Sequence, residues 1–548
     1  MRDAHLFGIA RNKPYAELVR EFRWDIPEKF NFGVDVVDAW ATERDGLAIL
    51  WENAAGEQAS YRFSDVARLS NRLADTLRRQ GVAKGDRVIV MLPRIPEWQI
   101  ALIACLKLGA VVIPCIEMLT ARDIEYRVRN SEARAAICRT EQVDKFATVF
   151  DLLKIKIAVG GAPDWITWRE ALDAGDEAFS SAIVAAEDPA IMYYTSGSTG
   201  HPKGVLHASR GLYVWRIAAF YWLDLTPEDR IWCTADTGWS KAGTSIIWGP
   251  WSCGSCAFFY DGPYVPAERL RLLSTHRISV FCASATELNR IANEDFRGVD
   301  ISALRRTISA GEAVNPAIAQ RWEQVTGCKV SEAYGQTEAL MMVLNYPSEP
   351  LRYGSMGRPQ PGLDIAIVDD NGCLVPDGDE GHVALKVPSP HMMLGYWKAP
   401  ERTAACHVDG PDGRWYLSGD RGSRDADGRF WYAGRADDVI NSAGYRIGPL
   451  EVENALLEHP SVQECAVVAS PDPDRNEIVK AFVVLKDGFK GSPALVGELQ
   501  THVKNVTAPY KYPRAIEFIA ELPKTVTGKI RRRSLRDLEV ERAKTGKP

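Results

Sequence analysis

The first 180 residues alternate two hydrophobic periods. From residue 64 to 80 the apolar positions recur at helical spacing, Ser64 stands where an N-cap is expected, and Gly81 ends the segment. Residues 87–92 form a short run rich in Val and Ile, the pattern of a buried strand. Residues 96–108 read as a second helix and 110–113 as another strand. Strands separated by helices predict βαβ units, hence a parallel sheet covered by helices. The rhythm continues past residue 200, with strands expected at 279–282 and 307–309.

Between residues 350 and 435 Gly and Pro become frequent, and short strands at 364–368 and 382–387 predict a β-rich subdomain. After about residue 437 the pattern gives a helix at 449–458, strands at 464–469 and 479–485, and a helix at 494–506. A strand at 514–519 and a basic C-terminal helix follow. The expected fold is therefore α/β. A large N-terminal body over residues 1–436 holds parallel βαβ sheets and the β-rich subdomain, and a small α+β lid covers 437–548.

Composition narrows the class. A length of 548 residues allows roughly three or four domains at about 150 each. With 46% apolar and 25% charged residues, the chain has the balance of an ordinary soluble protein. A net charge of −6 argues against a dedicated nucleic-acid binder. Eleven Cys, odd in number and dilute, argue against a disulfide framework and for a reducing compartment, read as the cytoplasm. The most apolar window, 100–116, is interrupted by Lys107 and has Pro114 near its end, so no membrane span is expected. Residues 1–16 hold no uninterrupted apolar core of a secretory signal.

The sharpest local signal is Tyr194-Thr195-Ser196-Gly197-Ser198-Thr199-Gly200-His201-Pro202-Lys203-Gly204, directly after an apolar strand. Glycines let backbone amides approach an anion, hydroxyls donate hydrogen bonds, and Lys203 adds positive charge. No Gly-Lys-[Ser/Thr] follows, so this is not a Walker A loop. The plain alternative is a flexible Ser/Gly turn; the preceding buried strand and the closing Pro-Lys-Gly favour phosphate binding.

This loop resembles the signature of acyl-adenylate-forming enzymes. Further blocks match in order: Ser309-Ala310-Gly311-Glu312, Tyr334-Gly335-Gln336-Thr337-Glu338, Ser418-Gly419-Asp420, Gly434-Arg435-Ala436-Asp437-Asp438, and residues 523–529. The resemblance covers nearly the whole chain. It is nearest in texture to the medium-chain acyl-CoA synthetases, through Ala235-Asp236-Thr237-Gly238-Trp239 and Ser470-Pro471-Asp472-Pro473.

The resemblance implies ATP, Mg2+ and coenzyme A acting on a small-molecule carboxylic acid. The acid becomes an acyl-adenylate with release of pyrophosphate, and a thiol then displaces AMP. By position, Lys529 is the adenylation lysine, Thr337 meets the α-phosphate with Lys203 nearby, and Glu338 holds the metal. Tyr334 stacks near adenine, with Glu332, Ala333, Gly335 and Gln336 in the same block and Gly311, Glu312 and Ala313 along the purine's other side. Asp420 accepts from the ribose hydroxyls, Arg435 lies beside it, and Arg446 contacts phosphate. Asp437 is the hinge about which the lid exchanges Lys529 for Ala443, Gly444 and Tyr445. Arg475, Tyr512 and Arg514 are CoA contacts.

Acetyl-CoA synthetases carry Trp at the position of Gly335, and Trp239 is implied as a wall of the acyl pocket. The expected acids are therefore larger than acetate: medium-chain, branched or aromatic. The alternative activity is loading an acid onto a carrier protein; a nucleotide-binding regulator is the non-enzymatic alternative. The form of residues 523–529 also fits a site for a lysine acyltransferase and deacylase acting on Lys529. A homo-oligomer is left open. Cys253 and Cys256, a lone CxxC pair, read as core cysteines, Arg531 to Arg533 as solvated charges, and His207 as either a substrate contact or a packed residue.

Overall fold

The computed structural model describes residues 11, 13–195, 202–311, 314–436, 438, 440–442, 445–472, 476–507, 511–525 and 530–545. The helix expected from residue 64 begins at Phe63 and runs to Arg79. Ser64 is not its cap: Arg62 is the extended N-cap residue, and the Asp65 carboxylate accepts the Arg62 N–H at 3.0 Å. The next helix, Pro96–Leu108, forms as read, with Pro in its first turn and Gly109 closing it at φ 74°.

By internal contact the chain divides into two units, Met1–Ile365 with Leu385–His407, and Ala366–Ala384 with Val408–Pro548. The boundary expected at 436/437 thus falls inside the second unit. There the backbone of Phe430–Arg435 lies close on the start of helix Pro449–Leu457: a Cβ on Gly448 would sit 2.5 Å from the Ala433 carbonyl oxygen.

The first unit holds an eight-stranded sheet in the order Gly395–Tyr396, Lys203–Ala208, Pro189–Thr195, Val111–Pro114, Arg87–Met91, Ala135–Arg139, Ile155–Val159, Ile166–Thr167. Its pairings are parallel from Pro189–Thr195 onward and antiparallel at the Lys203 edge. A second sheet in this unit has a parallel centre of Val330–Gln336, Arg306–Ala310, Val280–Cys282, Arg230–Cys233, Cys256–Asp261 and Leu47–Asn53. Lys107, the charge inside the most apolar window, is wholly buried. Its ammonium is satisfied by Asp38 Oδ1 at 2.6 Å, Asn71 Oδ1 at 2.6 Å and the Ala67 carbonyl at 3.1 Å. No helix among the described residues is long and apolar enough to cross a membrane.

The second unit carries the β-rich strands Gly413–Arg424 and Phe430–Arg435. It also carries a sheet in which Asn476–Leu485 pairs antiparallel with Val462–Asp472 and parallel with Ala515–Phe518.

Candidate functional site

The strands that carry the candidate residues are Pro189–Thr195 (β1), Lys203–Ala208 (β2), Val330–Gln336 (β3), Leu340–Leu344 (β4), Gly395–Tyr396 (β5), Gly413–Arg424 (β6) and Phe430–Arg435 (β7). β1 and β2 form an antiparallel hairpin in which Thr195 faces Lys203. The predicted phosphate loop joins these two strands in sequence; Ser196, Gly197, Ser198, Thr199 and Gly200 lie outside the described residues. β1 is buried from Ala190 to Tyr194, and Thr195 and Lys203 are half-buried.

β3 and β4 form a second antiparallel hairpin whose turn is Thr337, Glu338 and Ala339. Leu340 closes the turn at φ 53°, the left-handed geometry that three-residue hairpin loops use. Thr337 is gripped at two atoms: its hydroxyl lies 3.0 Å from Ser240 Oγ, and its carbonyl accepts from His207 Nε2 at 2.6 Å. Glu338 is gripped likewise. Its Oε1 accepts the Tyr396 hydroxyl at 2.8 Å, and its carbonyl accepts the Met393 N–H at 2.9 Å. The Lys203 ammonium lies 4.9 Å from the centroid of the same Tyr396 ring. Three predicted residues, Lys203, Thr337 and Glu338, are thereby brought together.

His207 is fully buried, and burial pushes its pKa down to about 4, so it is neutral at physiological pH. A bond to a carbonyl assigns the proton to Nε2. His207 is the packed residue of the two alternatives, and its packing serves Thr337.

The two blocks expected to flank the purine are neighbours. Ala310, at the end of strand Arg306–Ala310, faces Ala333 of β3, so Gly311 and Tyr334 leave adjacent C-terminal ends of parallel strands. Ligands bind at such ends in α/β sheets. Gly311 turns at φ 92°. Glu312 and Ala313 lie outside the described residues. Glu332 is buried and accepts the Val314 N–H at 2.7 Å, tying β3 to the segment after Gly311; burial raises its pKa to about 7. Tyr334 and Gln336 are half-buried.

Trp239 is half-buried in the segment that follows strand Arg230–Cys233, beyond another C-terminal strand end. Gly335 has a local reason to be glycine. A Cβ there would lie 2.1 Å from the Leu340 carbonyl oxygen, at the register shift between Tyr334 and Gly335. Close approach of β4 requires this glycine, and a Trp could not be added without rebuilding the hairpin.

In the second unit Asp420 of β6 faces Arg435 of β7, with Arg435 Nη1 donating to Asp420 Oδ1 at 3.2 Å. Asp420 is buried behind Gly419, whose φ of 73° makes the turn into it. Arg446 and Tyr445 belong to strand Tyr445–Ile447, paired with Ile440–Ser442; their side chains lie outside the description. Asp437, Ala443, Gly444, Arg475 and Lys529 are outside the described residues. The flanks of Lys529 are anchored: Lys524 bridges Ile530, and the Arg531 N–H donates to the Pro523 carbonyl at 2.8 Å. Arg532, expected to be solvated, instead pairs with buried Glu453 at 2.5 and 2.9 Å, because that carboxylate needs a charge partner. Two cations approach the Tyr512 ring, Lys504 at 4.0 Å and Arg514 at 5.0 Å from its centroid.

Among the described residues no group of three or more His, Cys, Asp and Glu could hold a metal. Glu338 is half-buried with one oxygen engaged by Tyr396, which leaves a single hard oxygen ligand. That suits Mg2+, which takes its remaining ligands from phosphate oxygens and water. Cys253 and Cys256 are buried thiols, as expected.

Sequence motifs alone missed Ser240 and Tyr396. Tyr396 sits in Gly395-Tyr396-Trp397, where no spacing rule marks it.

A family model described as AMP-binding enzyme matches residues 37–397, and one for the AMP-binding enzyme C-terminal domain matches 451–529. The human acyl-coenzyme A synthetase ACSM3, mitochondrial, is 40% identical over 546 residues, covering 96% of this chain and 92% of its own. The mouse acyl-coenzyme A synthetase ACSM4, mitochondrial, is 40% identical, covering 96% and 93%. The crystal structure of the anthranilate CoA ligase AuaEII with anthranoyl-AMP is similar at a TM-score of 0.86 and 30% identity, covering 95% of this chain and 99% of that one. The benzoate CoA ligase from Burkholderia xenovorans is similar at a TM-score of 0.82 and 30% identity, covering 92% and 100%.

These mitochondrial relatives overturn the cytoplasmic assignment. Free thiols mark any reducing compartment, and a missing secretory core says nothing about other destinations. With the AMP-binding match spanning more than half of its length and the motif blocks in order, the chain belongs to the AMP-binding family of acyl-adenylate-forming enzymes.

Proposed function

We infer that this protein activates a medium-chain, branched or aromatic carboxylic acid and transfers it to coenzyme A. It is an ATP-dependent acyl-CoA synthetase, an AMP-forming acid–thiol ligase working through acyl-AMP. A carboxylate oxygen attacks the α-phosphorus of ATP, the bond to the β-phosphate oxygen breaks, and pyrophosphate leaves. The CoA sulfur, having lost its proton, then attacks the acyl carbon, and AMP leaves with the electrons of the acyl–oxygen bond.

The observation that carries this reading is that Lys203, at the start of β2, and Glu338, beside Thr337 in the turn between β3 and β4, meet at Tyr396. The first step gathers anions, so it needs cations and donors aimed at developing phosphoryl charge. Lys203 supports the phosphates, and the Thr337 hydroxyl, held by Ser240, is aimed at the α-phosphate. Glu338 and nucleotide oxygens would hold Mg2+, which supplies charge neutralisation on the phosphates. Asp420 and Arg435 take the ribose, and Lys529 stabilises the adenylation transition state. The cations flanking Tyr512 favour the CoA nucleotide over a carrier protein. Asp437 is the hinge that exchanges Lys529 for residues 443–445. Lys529 is also a candidate for acylation, which intact-mass comparison before and after deacylase treatment reads.

The deciding experiment measures the two half-reactions of Lys529→Ala separately. Pyrophosphate release from ATP and acid should fall by at least about a hundredfold, the scale of losing a transition-state charge partner. Conversion of supplied acyl-AMP to thioester should stay near normal; equal loss of both rejects the assignment. The same assay over straight, branched and aromatic acids, with and without CoA, identifies the acid. For the hinge, Asp437→Pro should slow thioester formation more than adenylation.

A further inference from the structure

Lys203, at the start of β2, and Glu338, in the turn between β3 and β4, carry opposite charges and contact the same ring, yet no ion pair joins them among the described residues. An ammonium and a carboxylate that paired with each other would each be spent before a ligand arrived. Tyr396 contacts both. Its hydroxyl donates to Glu338 Oε1 at 2.8 Å, and its ring face receives the Lys203 ammonium at 4.9 Å.

The ring is held firmly for this task. Tyr396 is 8% exposed, and β5 pairs with β2 so that Tyr396 faces Val205. The Trp397 N–H donates to the Gly204 carbonyl at 2.7 Å, and the Tyr396 N–H donates to Thr403 Oγ1 at 2.9 Å. The Trp397 indole is fixed in turn by the Asn130 carbonyl at 2.9 Å. β2 begins with Lys203, so one short strand pairing sets both the ring and the cation.

We propose that Tyr396 is a positioning residue for adenylation: it separates Lys203 from Glu338, leaving the ammonium for a nucleotide phosphate and the carboxylate for a divalent cation. This rests on the roles given above to Lys203 and Glu338. Neither the phenol nor its proton takes part in bond making. The residue sets a spacing, and losing either half of its contact affects a different ligand.

Two substitutions in the full-length protein separate the halves. Tyr396→Phe keeps the ring under Lys203 and removes the hydroxyl; Tyr396→Leu removes both. ATP binding is measured by calorimetry in EDTA and in saturating Mg2+, beside kcat and KM for pyrophosphate exchange and the thermal midpoint. For Tyr396→Phe, metal-free ATP affinity should stay at the wild-type value while the gain on adding Mg2+ shrinks about tenfold, the scale of one hydrogen bond to a charged group. For Tyr396→Leu, metal-free affinity should also fall severalfold. Full retention of the Mg2+ gain in Tyr396→Phe overturns the proposal, as does equal loss with and without the metal. Glu338→Gln is run alongside. If it abolishes the Mg2+ gain while Tyr396→Phe keeps it, only the Tyr396 proposal fails. If Glu338→Gln keeps the gain, the metal assignment fails and the proposal with it. Should Tyr396→Leu not fold, the Phe variant alone decides.

Discussion

Lys107 has three ammonium hydrogens and three acceptors, Asp38, Asn71 and the Ala67 carbonyl, and its own side chain is wholly buried. Lys107→Met would strip all three and leave Asp38 without its cation. A third of the Asp38 side chain is exposed, at 33%, so the loss should be about 2–3 kcal/mol in urea denaturation rather than that of a wholly buried pair. His207 and His391 give a second residue-scale expectation. Burial holds them neutral, with pKa values pushed down to about 4 and about 3. An unfolded His titrates near 6.5, so below that pH the unfolded chain binds more protons. Their contribution to stability is whole above about pH 6.5 and drains as pH falls towards 4. The thermal midpoint should fall across that window, and the double variant His207→Asn with His391→Asn should show a shallower fall.

At the scale of elements, the two hairpins decide the site. Gly335→Ala places a methyl 2.1 Å from the Leu340 carbonyl oxygen, which forces β3 and β4 apart. It should cost about 1–3 kcal/mol of stability. It should also depress pyrophosphate exchange more than thioester formation from supplied acyl-AMP. Unchanged melting would mean that the bulge relaxes freely. The motif residues of both hairpins were legible because glycine, hydroxyl and charge cluster in one window: 194–204 for the first tip and Tyr334 to Glu338 for the second. Their supports were not. His207 reaches Thr337 across 130 residues, Ser240 reaches it across 97, and Tyr396 reaches Glu338 across 58. Local periodicity reports only which face of an element is apolar, so it cannot pair side chains over such separations.

Across the whole molecule, each of the two units has its own buried core. Arg532 pairs with buried Glu453 in the second, as Lys107 pairs with Asp38 in the first. In scanning calorimetry Lys107→Met should lower one transition and Arg532→Met another. If both variants shift one common transition, the units unfold as a single cooperative block. The sequence by itself determined the α/β class and the family, because motif chemistry and periodicity are local and are written in consecutive residues. Helix Pro96–Leu108 and the order of the motif blocks came from that local code. Only the tertiary structure decided that the β-rich strands group with the C-terminal residues, that Gly335 answers to a neighbouring strand, and that Tyr396 contacts both Lys203 and Glu338. Those facts depend on which distant segments pack together, and packing is set by the fit of whole surfaces rather than by any single stretch of chain.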